Sequence, residues 1–304
     1  MTLTAPAPRS RRPRRSALYV PAINQRALAK AASLDCDVVI FDLEDAVAPE
    51  MKEAARCNLE AFFATPKEGL QERVIRVNAI DTTDFEADMA TVAACRPDAV
   101  LVPKLSNPSD FGVIARALPK SGTNEAPRLW AMVETPAALL SLDEIVRAGL
   151  ASQTGLDCLV VGTNDIAKET GVFPGEGRAF LRPWLMHVVL CAKRHGVCVL
   201  DGVWNDFADQ VGFAAEAVES VKMAFDGKTL IHPTQIGPAN EAFSPSATAV
   251  ADARQIVAVF ARPENADAGV VNLDGKMVER LHLAQAQALL AIHDAIEERT
   301  ARGR

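Results

Sequence analysis

No run of apolar residues in the 304-residue chain approaches the ~20 that a membrane-spanning helix requires, so the sequence predicts a protein that does not cross a membrane. Positive charge is not in excess: the formal net charge is −7 at pH 7, whereas generic nucleic-acid binding requires an electropositive footprint. The six cysteines, at 36, 57, 95, 158, 191 and 198, form no Cys-x-x-Cys pair and have no histidine at zinc-finger spacing. Cys36, Cys158 and Cys198 flank or lie within apolar runs and read as reduced core residues, in keeping with a cytoplasmic compartment. There is no Walker loop, no Gly-x-Gly-x-x-Gly after a strand, and no Ser/His/Asp or Cys/His arrangement legible from spacing. Nucleotide loops and nucleophile triads are thereby set aside.

Hydrophobic residues make up 49% of the chain and charged residues 23%, ordinary values for a globular protein with a sizeable core. Basic residues are unevenly spread. Arg11, Arg12, Arg14 and Arg15 crowd a proline-rich start that reads as a disordered arm over residues 1–14, without the apolar segment of a secretory signal. Arg15 abuts the first strand. Eight short apolar runs follow, at 18–20, 38–41, 74–77, 99–102, 129–133, 158–161, 197–200 and 229–231, each bounded as buried parallel strands are. Segments long enough for crossover helices separate them. Eight such units predict an α/β chain folded as a (β/α)8 TIM barrel over residues 15–245. A doubly wound sheet is the alternative, but it usually needs a glycine-rich loop after its first strand, and Pro21-Ala22-Ile23-Asn24 has no glycine. Residues 246–304 predict two further helices, at about 247–261 and 276–297, split by a Gly/Asn/Asp-rich hinge at 265–275. They exceed what a barrel requires and read as a C-terminal lid or an arm that packs on another subunit.

Polar residues gather where the strands end, which is where barrels build active sites. Glu134 closes the fifth run ahead of Thr135-Pro136, and Asp165 follows the sixth through Gly162-Thr163-Asn164. Two acids converging there can hold a hard divalent cation, Mg²⁺ foremost, with positions left for substrate oxygens. The competing reading is helix N-capping, for which glutamate is poorly suited. The second run ends in Asp42-Leu43-Glu44-Asp45, three acids in four positions, and the third contains Arg76. Arg76 suits a substrate carboxylate bidentately, or could pair with Asp42 or Glu44. One of the three acids is expected to cap the turn and another to orient metal-bound water. Lys104, Asp201 and His232 also lie at strand ends, His232 reading as a hydrogen-bonded structural residue. The economical chemistry is metal-assisted stabilisation of an oxyanion on a keto or hydroxy acid.

The motifs Arg15-Ser16-Ala17-Leu18-Tyr19-Val20-Pro21, Phe41-Asp42-Leu43-Glu44-Asp45-Ala46-Val47, Arg76-Val77-Asn78, Val102-Pro103-Lys104, Glu134-Thr135-Pro136 and Gly162-Thr163-Asn164-Asp165 appear in order. With Asp201-Gly202-Val203, Phe225-Asp226-Gly227-Lys228 and Ile231-His232-Pro233, they resemble the citrate lyase β-subunit-like (CoA ester lyase) family of the HpcH/HpaI aldolase superfamily, from about residue 14 to 290. The resemblance implies Mg²⁺, or Mn²⁺ in its place, on Glu134 and Asp165. It implies Arg76 on the keto- or hydroxy-acid moiety, and Glu44 and Asp45 around metal-bound water. Arg15, Lys52 and Arg56 become candidates for the phosphates of coenzyme A, which would enter as part of the substrate. The extra helices match a lid laid over a neighbouring active site in homotrimers or hexamers.

The implied activity is Mg²⁺-dependent C–C lysis of a short β-hydroxyacyl-CoA, such as malyl-CoA or citramalyl-CoA, to an acyl-CoA and glyoxylate or pyruvate. The family's lid often carries Asp in a Met-Ile-Asp-x-Pro stretch, whereas this chain reads Met277-Val278-Glu279-Arg280-Leu281, which makes Glu279 the lid carboxylate. Ala22 stands where the family commonly has glycine. A malyl-CoA-type thioesterase is the alternative that the altered lid suggests, and a partner-dependent citrate-lyase-like β subunit is a third.

Overall fold

The computed structural model describes residues 12–67, 69–118, 126–152 and 155–302, so most of the expected N-terminal arm, residues 1–11, lies outside the described residues. Eight parallel strands form β1 (Ser16–Pro21), β2 (Val38–Asp42), β3 (Glu72–Arg76), β4 (Ala99–Val102), β5 (Arg128–Val133), β6 (Leu156–Val161), β7 (Cys198–Asp201) and β8 (Gly227–Leu230). They close into a barrel in chain order, β8 returning to β1 through Ser16↔Lys228, Ala17↔Thr229 and Leu18↔Leu230. Helices such as Lys52–Phe63, Phe85–Cys95, Leu142–Ala151, Arg182–His195 and Gln210–Lys222 connect successive strands. This is the TIM barrel that the eight apolar runs predict, followed by C-terminal helices. No helix among the described residues is long and apolar enough to cross a membrane.

Strand parity decides what each residue does. Side chains alternate across the barrel wall. Ala17, Val38, Ile40, Val74, Ala99, Leu101, Trp130, Met132, Cys158, Val160 and Leu200 fill the interior. Their neighbours, including Val39, Phe41, Ile75, Val100, Leu159 and Val199, pack outward under the helices with Leu59, Val92, Ile114, Ile145 and Val188. Each such side chain contributes about 1.5–3 kcal/mol by leaving water. Followed two residues further, the inward rows Val38-Ile40, Val74 and Trp130-Met132 reach Asp42, Arg76 and Glu134. Three inward rows that are apolar through the barrel therefore end in charge at its C-terminal mouth.

The other end is closed by Arg14, which corrects its placement in a disordered arm. Its guanidinium stacks on Trp130 at 4.6 Å, forks onto Glu72 at 2.7 and 2.8 Å, and also pairs with Asp157. A cation 9% exposed at its side chain and held by two carboxylates and an indole face is a structural plug.

Strand β8 begins two residues earlier than the run at 229–231 suggests, because Lys228 interrupts the apolar pattern while being completely buried. Its ammonium donates to Asp201 at 2.9 Å and Glu216 at 2.7 Å, and Asp201 in turn accepts from Arg178 at 2.8 and 2.9 Å and from Ser220 at 2.6 Å. Asp201 follows the inward Leu200 and so faces the helix Gln210–Lys222, away from the barrel mouth. A β-carbon at Gly227 would lie 1.8 Å from the carbonyl oxygen of Arg14, so only glycine lets the chain close there.

Backbone contacts separate a compact unit Arg14–Phe243 from a second that includes residues 244–302. The second unit holds helices Ala247–Phe260 and Arg280–Arg302, and between them a hairpin of β9 (Val270–Leu273) and β10 (Lys276–Glu279). This corrects the expected hinge at 265–275 and the helix start at 276. Asp274 and Gly275 both take positive φ, 51° and 80°, which is the two-residue turn that an Asp-Gly step favours. Val271 and Val278, paired across the hairpin, bury with Val259 and Phe260.

Candidate metal and substrate site

Asp42, the last residue of β2, organises the mouth. Its carboxylate accepts from the backbone N–H of Glu44 at 2.8 Å and of Ala46 at 3.1 Å. The same two oxygens take Nε and Nη2 of Arg76 at 2.7 and 2.6 Å. Asp42 is thus the turn-capping acid expected among the three, and it also fixes the guanidinium plane. Tyr19 lies against that plane, 4.8 Å from ring centre to Cζ. With Nε and Nη2 engaged, Arg76 turns Nη1 towards Glu44 Oε2 at 2.9 Å and Asp45 Oδ2 at 3.7 Å.

Glu44 is 5% exposed, and its Oε1 accepts from Lys104 Nζ at 2.8 Å. Its Oε2 is buried and, despite the nearby Nη1, has no hydrogen bond of adequate geometry. Burial raises the Glu44 carboxyl above its ordinary range, while Arg76 and Lys104 work against the rise. Asp45 sits at the rim with 58% of its side chain exposed.

Glu134 follows β5 and is 1% exposed. Its Oε1 accepts the backbone N–H of Lys104 at 2.7 Å. Lys104 delivers that N–H from a left-handed backbone, φ 54°, a strained conformation for a residue with a β-carbon. Gly162 supports the other side: a β-carbon there would fall 2.5 Å from Glu134 Cβ and 2.6 Å from Oε2. Burial pushes the Glu134 carboxyl up to about 8, the charges of Glu44 and Asp165 push the same way, and the Lys104 N–H and Arg76 oppose them. Asp165 lies half-buried in the first turn of the helix Thr163–Thr170 and makes no hydrogen bond or ion pair among the described residues.

Capping does not explain this pair. The helix after β5 is capped by Thr135, whose hydroxyl accepts from Ala138 N at 3.0 Å, and the helix after β6 takes Gly162 at its N-cap. Five carboxylates (Asp42, Glu44, Asp45, Glu134, Asp165) face two cations (Arg76, Lys104), leaving three negative charges uncompensated when all are ionised. The nearby carboxylates add to the burial that raises the Glu134 carboxyl, and Glu44 Oε2, though 2.9 Å from Arg76 Nη1, lacks a well-aligned hydrogen bond. All-oxygen donors of this kind suit the chemistry of a hard divalent ion.

The cations expected to meet phosphate are not brought to the mouth as free groups. Arg15 precedes β1, at the opposite end of the barrel from Arg76, and its guanidinium forks onto Asp37 through Nε and Nη2, each at 2.8 Å. Lys52 is 8% exposed, and its ammonium donates to the carbonyls of Leu43 and Glu44, both at 2.7 Å, and to Asn78 Oδ1 at 2.8 Å. It supports the loop that carries Glu44. Arg56 bridges Asp84 at 3.0 Å and Asp88 at 3.1 Å. Glu279 ends β10 in the second unit, its backbone N–H donating to His282 Nδ1 at 3.0 Å. His232 accepts from Thr234 N and stacks on Phe207 at 4.8 Å, the structural role expected of it. Tyr19 went unnoticed in the sequence, although it shares the inward parity of Ala17.

Residues 15–233 match the sequence profile of the HpcH/HpaI aldolase/citrate lyase family. The chain is 41% identical over 284 residues to a protein of Cereibacter sphaeroides named (3S)-malyl-CoA thioesterase, covering 93% of this chain and 96% of that one. Human mitochondrial citramalyl-CoA lyase is 29% identical over 297 residues, covering 94% and 87%. Among solved structures, CitE from Mycobacterium tuberculosis in complex with magnesium, acetoacetate and coenzyme A is similar with a TM-score of 0.74 and 28% identity, covering 92% of this chain and 97% of that one. These findings correct the order of activities drawn from the sequence. The relatives named lyase stand at 28–29% identity, and those named thioesterase at 41%, so C–C lysis is not the leading reading. The chain belongs to the HpcH/HpaI aldolase/citrate lyase family.

Proposed function

We propose that the protein hydrolyses the thioester of a short hydroxyacyl-CoA of the malyl-CoA kind, releasing coenzyme A and the free hydroxy acid, with Mg²⁺ held by Glu134 and Asp165 and Mn²⁺ as the alternative ion. The observation that carries this reading is the 41% identity to (3S)-malyl-CoA thioesterase over 93% of the chain. When bound, the ion supplies positive charge to the hydroxyl and carboxylate oxygens of the acyl end.

The chain's own residues supply the rest. Asp42 and Tyr19 fix the Arg76 plane, and Nη1 is its edge towards an incoming carboxylate. Glu44, held by Lys104, keeps one buried oxygen for a water or a substrate hydroxyl, with Asp45 at the rim. Hydrolysis adds a water oxygen to the thioester carbon and breaks the C–S bond. One water proton goes to a carboxylate base and then to the departing sulfur. Glu279 is the candidate for that base. Glu279→Ala is expected to lower kcat at least tenfold with Mg²⁺ affinity unchanged, and an unaltered kcat removes it from the step.

The test is thiol release. Malyl-CoA with Mg²⁺ is expected to yield free coenzyme A and malate, and the yield should disappear with EDTA and in Asp165→Ala. Acetyl-CoA in place of free thiol overturns the reading.

A further inference from the structure

We propose that Asp143, Cys191 and His195 form a second metal site, away from the barrel mouth, that takes a borderline-soft divalent ion of the zinc class. Cys191 and His195 are one turn apart on the helix Arg182–His195 and so share a face. Asp143 stands in the first turn of the helix Leu142–Ala151, which packs against it. A carboxylate oxygen, a sulfur and a ring nitrogen from these residues lie within 4.8 Å of one another, and among the described residues no other three His, Cys, Asp or Glu side chains gather so closely. His195 Nε2 is already 2.8 Å from Asp143 Oδ1. Tetrahedral bonds of 2.0–2.3 Å place ligand atoms about 3.5 Å apart, so side-chain shifts of roughly an ångström complete the site.

The donor set separates this site chemically from the all-oxygen mouth. Thiolate and imidazole select zinc-class ions, whereas Mg²⁺ requires hard oxygens. Cys191 is 6% exposed, and burial pushes its thiol up to about 11. Metal binding therefore releases that proton to solvent as the metal–sulfur bond forms. Thiolate and carboxylate then balance the two charges of the ion. Cys191 and His195 also lie near the C-terminal end of their helix, whose carbonyls favour a cation. Arg194 at 3.5 Å and Arg147 at 3.9 Å approach Asp143, but their side chains are 71% and 68% exposed and can turn to water. Exposed pairs of this kind contribute little. His187, one turn before Cys191, is tied to the Leu139 carbonyl at 3.1 Å, which leaves the fourth position to water.

Cobalt(II) is the probe. Titrated into the full-length protein with Mg²⁺ in excess, it is expected to bind one equivalent and produce a near-ultraviolet thiolate-to-cobalt charge-transfer band, which an oxygen-only site cannot give. Zn²⁺ should abolish the band. Cys191→Ser should remove it, and His195→Gln, at a partly exposed position, should weaken Co²⁺ binding at least tenfold. Mg²⁺-dependent turnover should be unchanged in both variants. No charge-transfer band, or a band that survives Cys191→Ser, overturns the proposal.

Discussion

The backbone N–H of Lys104 and the bare α-carbon of Gly162 hold Glu134 between them. One donates to Oε1 at 2.7 Å, and the other leaves the space that Cβ and Oε2 occupy. Neither contact uses a charged side chain, so the acid keeps its position without being neutralised.

Gly162→Ala is therefore expected to weaken Mg²⁺ binding at least tenfold, because a methyl 2.5 Å from Glu134 Cβ must displace that side chain. Gly171 is the control: its φ of 71° strains an alanine, but no atom lies within 4 Å of the added carbon. Gly171→Ala should lower stability by about 1 kcal/mol with metal affinity intact. Isothermal titration with Mg²⁺ and thermal melts distinguish the two, and equal Mg²⁺ affinities would contradict the packing account.

Stability of the metal-free protein should fall as pH rises. The folded Glu134 carboxyl titrates near 8, above the unfolded value of 4.5. A raised folded value means that the folded state binds more protons than the unfolded one between those limits. The stabilisation is complete below about 4.5 and is lost progressively as pH climbs through about 8, amounting to a few kcal/mol. Glu44, also raised, contributes with the same sign. With EDTA present the melting temperature should drop from pH 5 to pH 8.5, and Glu134→Gln should flatten the slope. Saturating Mg²⁺, which binds the ionised form, should restore most stability at the alkaline end. A slope unaltered by Glu134→Gln would show that this carboxyl is not the titrating group.

Arg76→Lys retains a charge but not the fork that engages both oxygens of Asp42. Replacing the fork by a single ammonium leaves one buried Asp42 oxygen without its donor and is expected to cost about 1–3 kcal/mol of stability. The kcat/KM should fall by roughly a hundredfold or more, since the donor edge presented to substrate moves with the fork. Urea unfolding and steady-state kinetics measure both. Near-normal values would mean that Arg76 acts as a simple point charge.

Much of the mouth was legible because it lies on strands. Period-two alternation makes Glu134, Arg76 and Asp42 the continuation of inward rows, and eight apolar runs suffice to count a barrel. What escaped depends on partners distant in the chain. Arg15 meets Asp37 across 22 residues, Lys52 meets Asn78 across 26, and Arg56 meets Asp88 across 32, so each looks like an unpaired cation in sequence. Lys228 hid the start of β8 because a buried lysine reads as exposed until Asp201 and Glu216 are brought to it. The Asp274-Gly275 turn was readable by ordinary hairpin rules but was obscured by the polar residues around it. Reaction type was the least legible, because the strand-end acids and guanidinium on which the family resemblance rests do not by themselves separate hydrolysis from C–C cleavage.

Malyl-CoA turned over in ¹⁸O-labelled water with Mg²⁺, and analysed by mass spectrometry, tests the central claim directly. The predicted result is free coenzyme A with malate carrying one ¹⁸O in the carboxylate freed from sulfur, all lost with EDTA. Acetyl-CoA and glyoxylate, with no labelled malate, would contradict it.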